Sequence, residues 1–321
     1  MDKENTMPTL DVSNVSHIAV PTLKSSSTLV EFTYGVPTLS RKDRRVTDEV
    51  LTNKNAESGA GKFTKQLLPN CKELKELQNL GQRIRQTHYH WTLPWSDMGT
   101  RLLPMARFPD YNEIMTANEQ EFRAGVQAIL DVYDWEIIQA KTKLGDLFEP
   151  DKYPTLDEFE ALFKWNFKYL PVPSAGDFRI DVGDEAVSVL TDNFQQNNQR
   201  ELMSSMRHVV NEVRESLTKL SNQLQSGKTY DTTVGKPTLL SEDGKTVLHR
   251  EDGVYRLLEL MRTCNLTQDT QIEAARAKLE KQFLGSGLAI SREALKEDSS
   301  LRDQTQAVVD DVIKSLPTLD M

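Results

Sequence analysis

Residues 201–225 read Glu-Leu-Met-Ser-Ser-Met-Arg-His-Val-Val-Asn-Glu-Val-Arg-Glu-Ser-Leu-Thr-Lys-Leu-Ser-Asn-Gln-Leu-Gln. Leu202, Met206, Val209, Val213, Leu217, Leu220 and Leu224 fall at steps of four and three with one interruption. That spacing gathers apolar side chains on one side of an α-helix and lies close to a coiled-coil seam. Arg207, Glu212, Arg214, Glu215 and Lys219 take the outer positions and keep that face wet. The stretch reads as the later part of a long helix over 183–225, and its stripe serves either as core or as a partner-binding seam.

The same period recurs upstream. Over 64–87, Leu67, Cys71, Leu74, Leu77, Leu80 and Ile84 share one stripe, and Pro69 places the start of the regular helix after itself. Over 116–148, the stripe is Phe122, Val126, Ile129, Tyr133, Ile137, Ala140, Leu144 and Leu147. The two longest helices then form an antiparallel pair about 50 Å long at 1.5 Å per residue. Further amphipathic segments are expected at 254–264, at 270–283 and near the end of the sequence. The fold class is therefore mostly α: an elongated antiparallel helical hairpin or coiled-coil-like bundle with a small aromatic-rich subdomain.

Other segments break the helical period. Residues 28–36 alternate and favour a strand. Residues 88–115 carry Trp91, Pro94, Trp95, Pro104, Phe108 and Pro109, a proline-punctuated aromatic loop of a size that packs on the helices. A short helix is expected over 157–168, followed by a breaker at Tyr169-Leu-Pro-Val-Pro. The organisation read from this is a flexible arm at 1–30, a long-helix domain with aromatic excursions at 31–226, a loop or small hairpin at 227–253, and a C-terminal helical region at 254–321.

Hydrophobic residues make up 38% of the chain and charged residues 27%, a balance that suits helices with broad exposed faces better than a compact α/β enzyme core. The net charge of −9 opposes a phosphate backbone unless basic residues are gathered locally. Arg41, Lys42, Arg44 and Arg45, followed by Arg83 and Arg85, are the local clusters that an alternative reading as a single-strand nucleic-acid-binding protein uses. No stretch reaches the length of a membrane span, and the N-terminal residues lack the basic-then-apolar order of a secretory signal. The expectation is a cytoplasmic protein with no membrane partner. Cys71 and Cys264 each sit in an apolar helical pattern and read as buried free thiols.

Catalytic patterns are weak. Gly59-Ala-Gly-Lys62 is half of a phosphate-binding loop, with Ala56 and Phe63 where glycine and a hydroxyl are needed, and reads as a linker. His88 and His90 have a spacing that binds metal on a strand, but Asp97 and Asp110 do not complete a recognisable ligand set. No metal, cofactor or catalytic residue is assigned. Pro-Thr-Leu recurs six times, at 8–10, 21–23, 37–39, 154–156, 237–239 and 317–319, without a fixed period. Helix entry accounts best for Thr155, which has Glu158 three residues on as in a capping box; docking peptides are the other reading of the copies.

Five stretches resemble a family of uncharacterised helical proteins of bacteriophages and bacteria, often encoded beside a MoxR-type AAA+ ATPase and a von Willebrand A-type protein. They are Thr38-Leu-Ser-Arg-Lys-Asp43, the helix over 72–85, the helix over 115–147 with Tyr133 and Trp135, the run from Phe163 through Trp165, Phe167 and Tyr169 to Phe178, and Ile290-Ser-Arg-Glu-Ala-Leu295 with Leu301-Arg302. The likeness rests on the order of elements and a few aromatics, and the family brings no catalytic residues. It implies a phage-type protein of the host cytoplasm, an adaptor or client of such an ATPase and von Willebrand A-type pair. Taken with the apolar stripes, through which the chain is expected to self-associate, the reading is a non-enzymatic helical adaptor or assembly protein.

Overall fold

The computed structural model describes residues 23, 25–96, 99–173, 184–225, 253–284 and 292–318. Of the arm read at 1–30, residues 1–22 and 24 lie outside the described residues, as do most of the expected hairpin at 227–253, the Gly285-Ser-Gly break and Asp97; the end of that arm is ordered, with Leu23 buried and residues 27–30 in a strand. The protein is mostly α with a small amount of antiparallel sheet. It divides into two compact units, Met1–Val30, Thr92–Phe108 and Tyr169–Met321 in one, and Glu31–Trp91 and Pro109–Lys168 in the other. Strands β1 (Ser27–Gly35), β4 (Leu93–Pro94), β5 (Arg101–Pro104) and β6 (Lys164–Leu170) form a sheet of order β4-β5-β1-β6. A separate two-stranded ribbon joins β2 (Ser40–Asp43) to β3 (Phe63–Gln66).

In the first unit, β1 and β5 pair antiparallel with Ser27 opposite Pro104 and Val30 opposite Arg101. Helix α5 (Asp184–Gln225) packs with α6 (Gly253–Cys264) and α9 (Ser299–Ser315). Helix α7 (Thr270–Leu284) packs with α6 and α9, and the short α8 (Arg292–Glu297) packs with α9. The turn from α6 to α7 is set by side chains. Asn265 Oδ1 accepts from Asp269 N at 2.8 Å, and Asp269 Oδ1 accepts from Gln271 N and Ile272 N, satisfying donors that a helix start leaves open. The region expected as separate at 254–321 is thus part of the core of α5. Its apolar faces need a partner, and the α5 stripe provides one.

In the second unit, α1 (Arg44–Asn53) sits inside the β2–β3 ribbon, capped by Asp43, whose side chain accepts from Val46 N at 3.1 Å. Helix α2 (Lys72–Trp91) starts just after Pro69, as the proline requires, and buries Leu74, Leu77, Leu80 and Ile84. Helix α3 is Phe108–Leu144, eight residues longer at its start than the apolar period indicates. Pro109, read as a breaker, lies in the first turn, where its missing N–H has no partner to lose. The expected helix over 157–168 is instead α4 (Leu156–Glu160) followed by β6. Lys164-Trp-Asn-Phe-Lys-Tyr-Leu alternates with period two, which is strand spacing.

The capping box at Thr155 is present. Its Oγ1 accepts from Glu158 N, and Glu158 Oε2 accepts from Thr155 N at 2.9 Å. Leu39 in the copy at 37–39 is buried at a positive φ of 49° and leads into β2, not a helix. Pro317, which follows α9, offers its carbonyl to Arg214 at 2.9 Å. The described copies of Pro-Thr-Leu therefore have different local roles. The copies at 8–10 and 237–239 lie outside the described residues.

Candidate functional site

The stripe proposed as a partner-binding seam is filled by the chain itself. Leu202, Met206, Val209, Val213, Leu217, Leu220 and Leu224 are each at most 5% exposed and share one core with residues of α6, α7 and α9. Ser205 and Ser221 join the same face, Ser205 donating to the Pro94 carbonyl and Ser221 to Asp310 Oδ1 at 2.5 Å. The seam is therefore an intramolecular core and not an open docking surface. An apolar stripe in sequence demands burial but carries no information on which chain supplies the cover.

The basic residues divide. Arg41, Lys42, Arg44 and Arg45 are exposed on β2 and the first turn of α1, and Arg45 reaches Glu49 at 3.8 Å. On α2, Arg83 pairs with Glu121 of α3 at 2.5 Å, and the Arg85 guanidinium lies 4.9 Å from the centre of the Tyr34 ring. Those two are already engaged in holding the second unit together.

His88 and His90 lie on α2 and not on a strand, so two residues of helix turn them about 200° apart. His88 is 2% exposed, with Nδ1 2.7 Å from the Tyr111 hydroxyl and its ring tilted against Phe32. It belongs to an aromatic cluster with Phe32, Trp165, Phe122 and Tyr34 that forms the centre of the second unit. The aromatics read as one small subdomain are divided: Trp165 belongs to this core, whereas Trp95 is buried in the core of the first unit.

An ionic group absent from the sequence reading is buried beside the ribbon. Lys65 is 4% exposed, and its Nζ donates to Asp43 Oδ2 at 3.0 Å, to the Leu147 carbonyl at 2.7 Å and to Glu149. Burial opposes the charge on Lys65, but the hydrogen bonds to Glu149 and Asp43 outweigh it and raise its pKa. The Val46 N–H and then the Lys65 hydrogen bond lower that of Asp43. With every donor engaged, the group acts as a rivet and not as an acid or base. No local signal reveals it, because Glu149 is far along the sequence.

Among the described residues, one set of possible metal donors converges: Cys71, Glu73 and Glu136, with atoms within 4.8 Å of one another. Cys71 Sγ contacts Glu73 Oε2 at 3.7 Å, and Lys143 Nζ lies 3.6 Å from Glu136. Burial, reinforced by the neighbouring carboxylates, raises the Cys71 pKa, so the thiol keeps its proton at neutral pH. Lysine thus already supplies a cation there. Cys264 is also buried and free, as expected. A cleft of about 700 Å³ between α3, α4 and β6 is lined by Phe122, Arg123, Asp157, Glu160, Lys164 and Trp165. Its charged rim presents no nucleophile beside a base.

What remains exposed is apolar surface on the long helices. Trp135 and Ile138 of α3 are 60% and 59% exposed, and Val189 of α5 is 55% exposed. The sequence held a signal for the first pair: both lie on α3 opposite the buried stripe of Tyr111, Met115, Phe122, Ile129, Tyr133 and Ala140. No described helix is long and apolar enough to cross a membrane. Fold and surface together define a mostly helical protein with two cores and exposed apolar positions on its longest helices. Comparison with protein-family models, curated proteins and solved structures finds no match for this chain.

Proposed function

We propose that this protein is a non-enzymatic helical adaptor or assembly protein of phage type, working beside an ATPase of the AAA+ class or a von Willebrand A-type partner in the cytoplasm. The observation that carries the reading is the exposure of Trp135 and Ile138 together on a 37-residue helix. Large apolar side chains grouped on a rigid surface mark contacts with other proteins. The coiled-coil character read from the four-three spacing of α5 enters the proposal only as packing of that helix within its own chain. The ATPase and von Willebrand A-type partners rest on the sequence resemblance alone.

A second reading, single-strand nucleic-acid binding, is favoured by the exposed Arg41, Lys42, Arg44 and Arg45 at one end of the β2–β3 ribbon. Four cations can neutralise about as many phosphates, and affinity would then fall steeply with salt. Capture of the tagged chain from its own cells at low and high salt separates the two. An ATPase or von Willebrand A-type protein retained at high salt supports the adaptor. Recovery of nucleic acid alone, and only at low salt, replaces it with the second reading.

A further inference from the structure

We infer that the outward face of α3 is a homodimer seam, on which two copies of this chain pair antiparallel about a two-fold axis near residues 129–130. The inference deepens the assembly reading above and rests on it. From residue 117 to residue 142, positions spaced alternately four and three apart run down α3, and all of them are exposed. The apolar members are Ala117, Ala124, Ala128, Trp135 and Ile138. This is a second stripe, opposite the buried one, with the period of a coiled-coil seam.

The face is complementary to itself only in one direction. Trp135 and Ile138 are a knob, while Ala124 and Ala128 are a notch about two to four turns earlier. Ala124, Gly125 and Ala128 also line a groove of about 710 Å³ between α3 and the Leu77, Leu80 and Arg83 positions of α2. An antiparallel copy sets Trp135 opposite Ala124, Ile138 opposite Glu121 and Asp131 opposite Ala128. The two-fold axis repeats each contact, as an isologous interface requires. A parallel copy would set Trp135 against Trp135 and Asp131 against Asp131.

Charge follows the same direction. Glu121 is neutralised by Arg83 at 2.5 Å, so it meets Ile138 with its charge already paired. Asp131 Oδ1 accepts from Gln127 at 2.7 Å. Arg123, which holds Glu119 of its own helix at 2.6 Å, and Asp134 stand on the same flank; antiparallel pairing brings Arg123 of one copy, with guanidinium donors left for a second carboxylate, within two residues of Asp134 of the other. A seam of this length, about 39 Å at 1.5 Å per residue, is narrow. It covers less than the roughly 800 Å² per partner of a standard interface, so the dimer is expected to dissociate on dilution, with Kd on the order of micromolar.

Sedimentation equilibrium of the full chain over a wide concentration range tests this. The mass should rise from monomer to dimer. Trp135→Lys should weaken association at least tenfold while leaving Tm unchanged, because the side chain is exposed in the monomer. Mixing Ala124→Cys chains with Trp135→Cys chains under mild oxidant should give a disulfide-linked heterotypic dimer, and Ala124→Cys alone should give none. A chain monomeric at every concentration overturns the inference, as does a dimer indifferent to Trp135→Lys or Ala124→Cys chains that cross-link to each other. A monomer that still retains an ATPase at high salt ends the seam and leaves the adaptor. A dimer that retains no protein ends the adaptor and leaves the seam.

Discussion

At Gly81, on the buried side of α2, one methyl group has nowhere to go. A Cβ there would stand 2.2 Å from a carbon of the Tyr34 ring, which is itself packed against Phe32 and Phe122. Alanine improves helix propensity by about 1 kcal/mol, but overpacking a fixed ring costs roughly 1–3 kcal/mol. Gly81→Ala should therefore lower the urea midpoint, whereas Gly125→Ala, which meets only the flexible Leu77 side chain at 2.9 Å, should do less harm. A midpoint for Gly81→Ala at or above that of the native chain would show that Tyr34 moves aside freely. At Lys65 the consequence is a pH dependence. Asp43 has a depressed pKa, so its contribution is complete above the ordinary carboxylate value of about 4 and is lost as pH falls through the folded value. Lys65 has a raised pKa, so its contribution is complete below the ordinary lysine value of about 10.4 and is lost as pH rises through the folded one. Lys65→Met removes the alkaline end of this window and part of the acid end, where the Val46 N–H still holds the Asp43 carboxyl down. Unfolding curves for the variant should show lower stability at neutral pH and a shallower loss on acidification and in alkali, and parallel native and variant curves would deny the ion pair its role.

The elements differ in how openly the residues announce them. Helix α2 was legible because Leu74, Leu77, Leu80 and Ile84 keep one stripe, all of it buried, and β1 because it alternates. The start of α3 was not, since a proline tolerated in a first turn is indistinguishable in sequence from one that ends a helix. Strand β6 carried its signal in the alternating Trp165, Phe167 and Tyr169, but the capping box at Thr155 announces a helix just before it, and the helix expected there ran on too far. Helix α5 was legible in extent but not in what covers it. Leu217, fully buried against the α6–α9 core, tests that cover. Leu217→Ala should cost about 2–5 kcal/mol in unfolding free energy without changing the mass in solution. A fall in mass with little change in stability would return the stripe to the role of an intermolecular seam.

For the whole molecule, the candidate surface was half legible. The buried stripe of α3 could be read from its spacing, and the exposed one runs on the same helix with the same period, but alanine is too weak a hydrophobic signal to mark it. The Lys65 group was invisible because its members come from three places in the chain, around residues 43, 65 and 147–149. The division into two units was equally hidden, since each is assembled from segments separated in sequence. That interleaving matters during synthesis. The second unit has all its residues by Lys168, so it can close while the ribosome is still working. The stripe of α5 is then made well before α9, the helix that packs along it, leaves the exit tunnel. For that interval the side of the stripe that α9 covers stands bare beside α6, and a message truncated before codon 299 would leave that side bare for good, marking the fragment for chaperones or proteases.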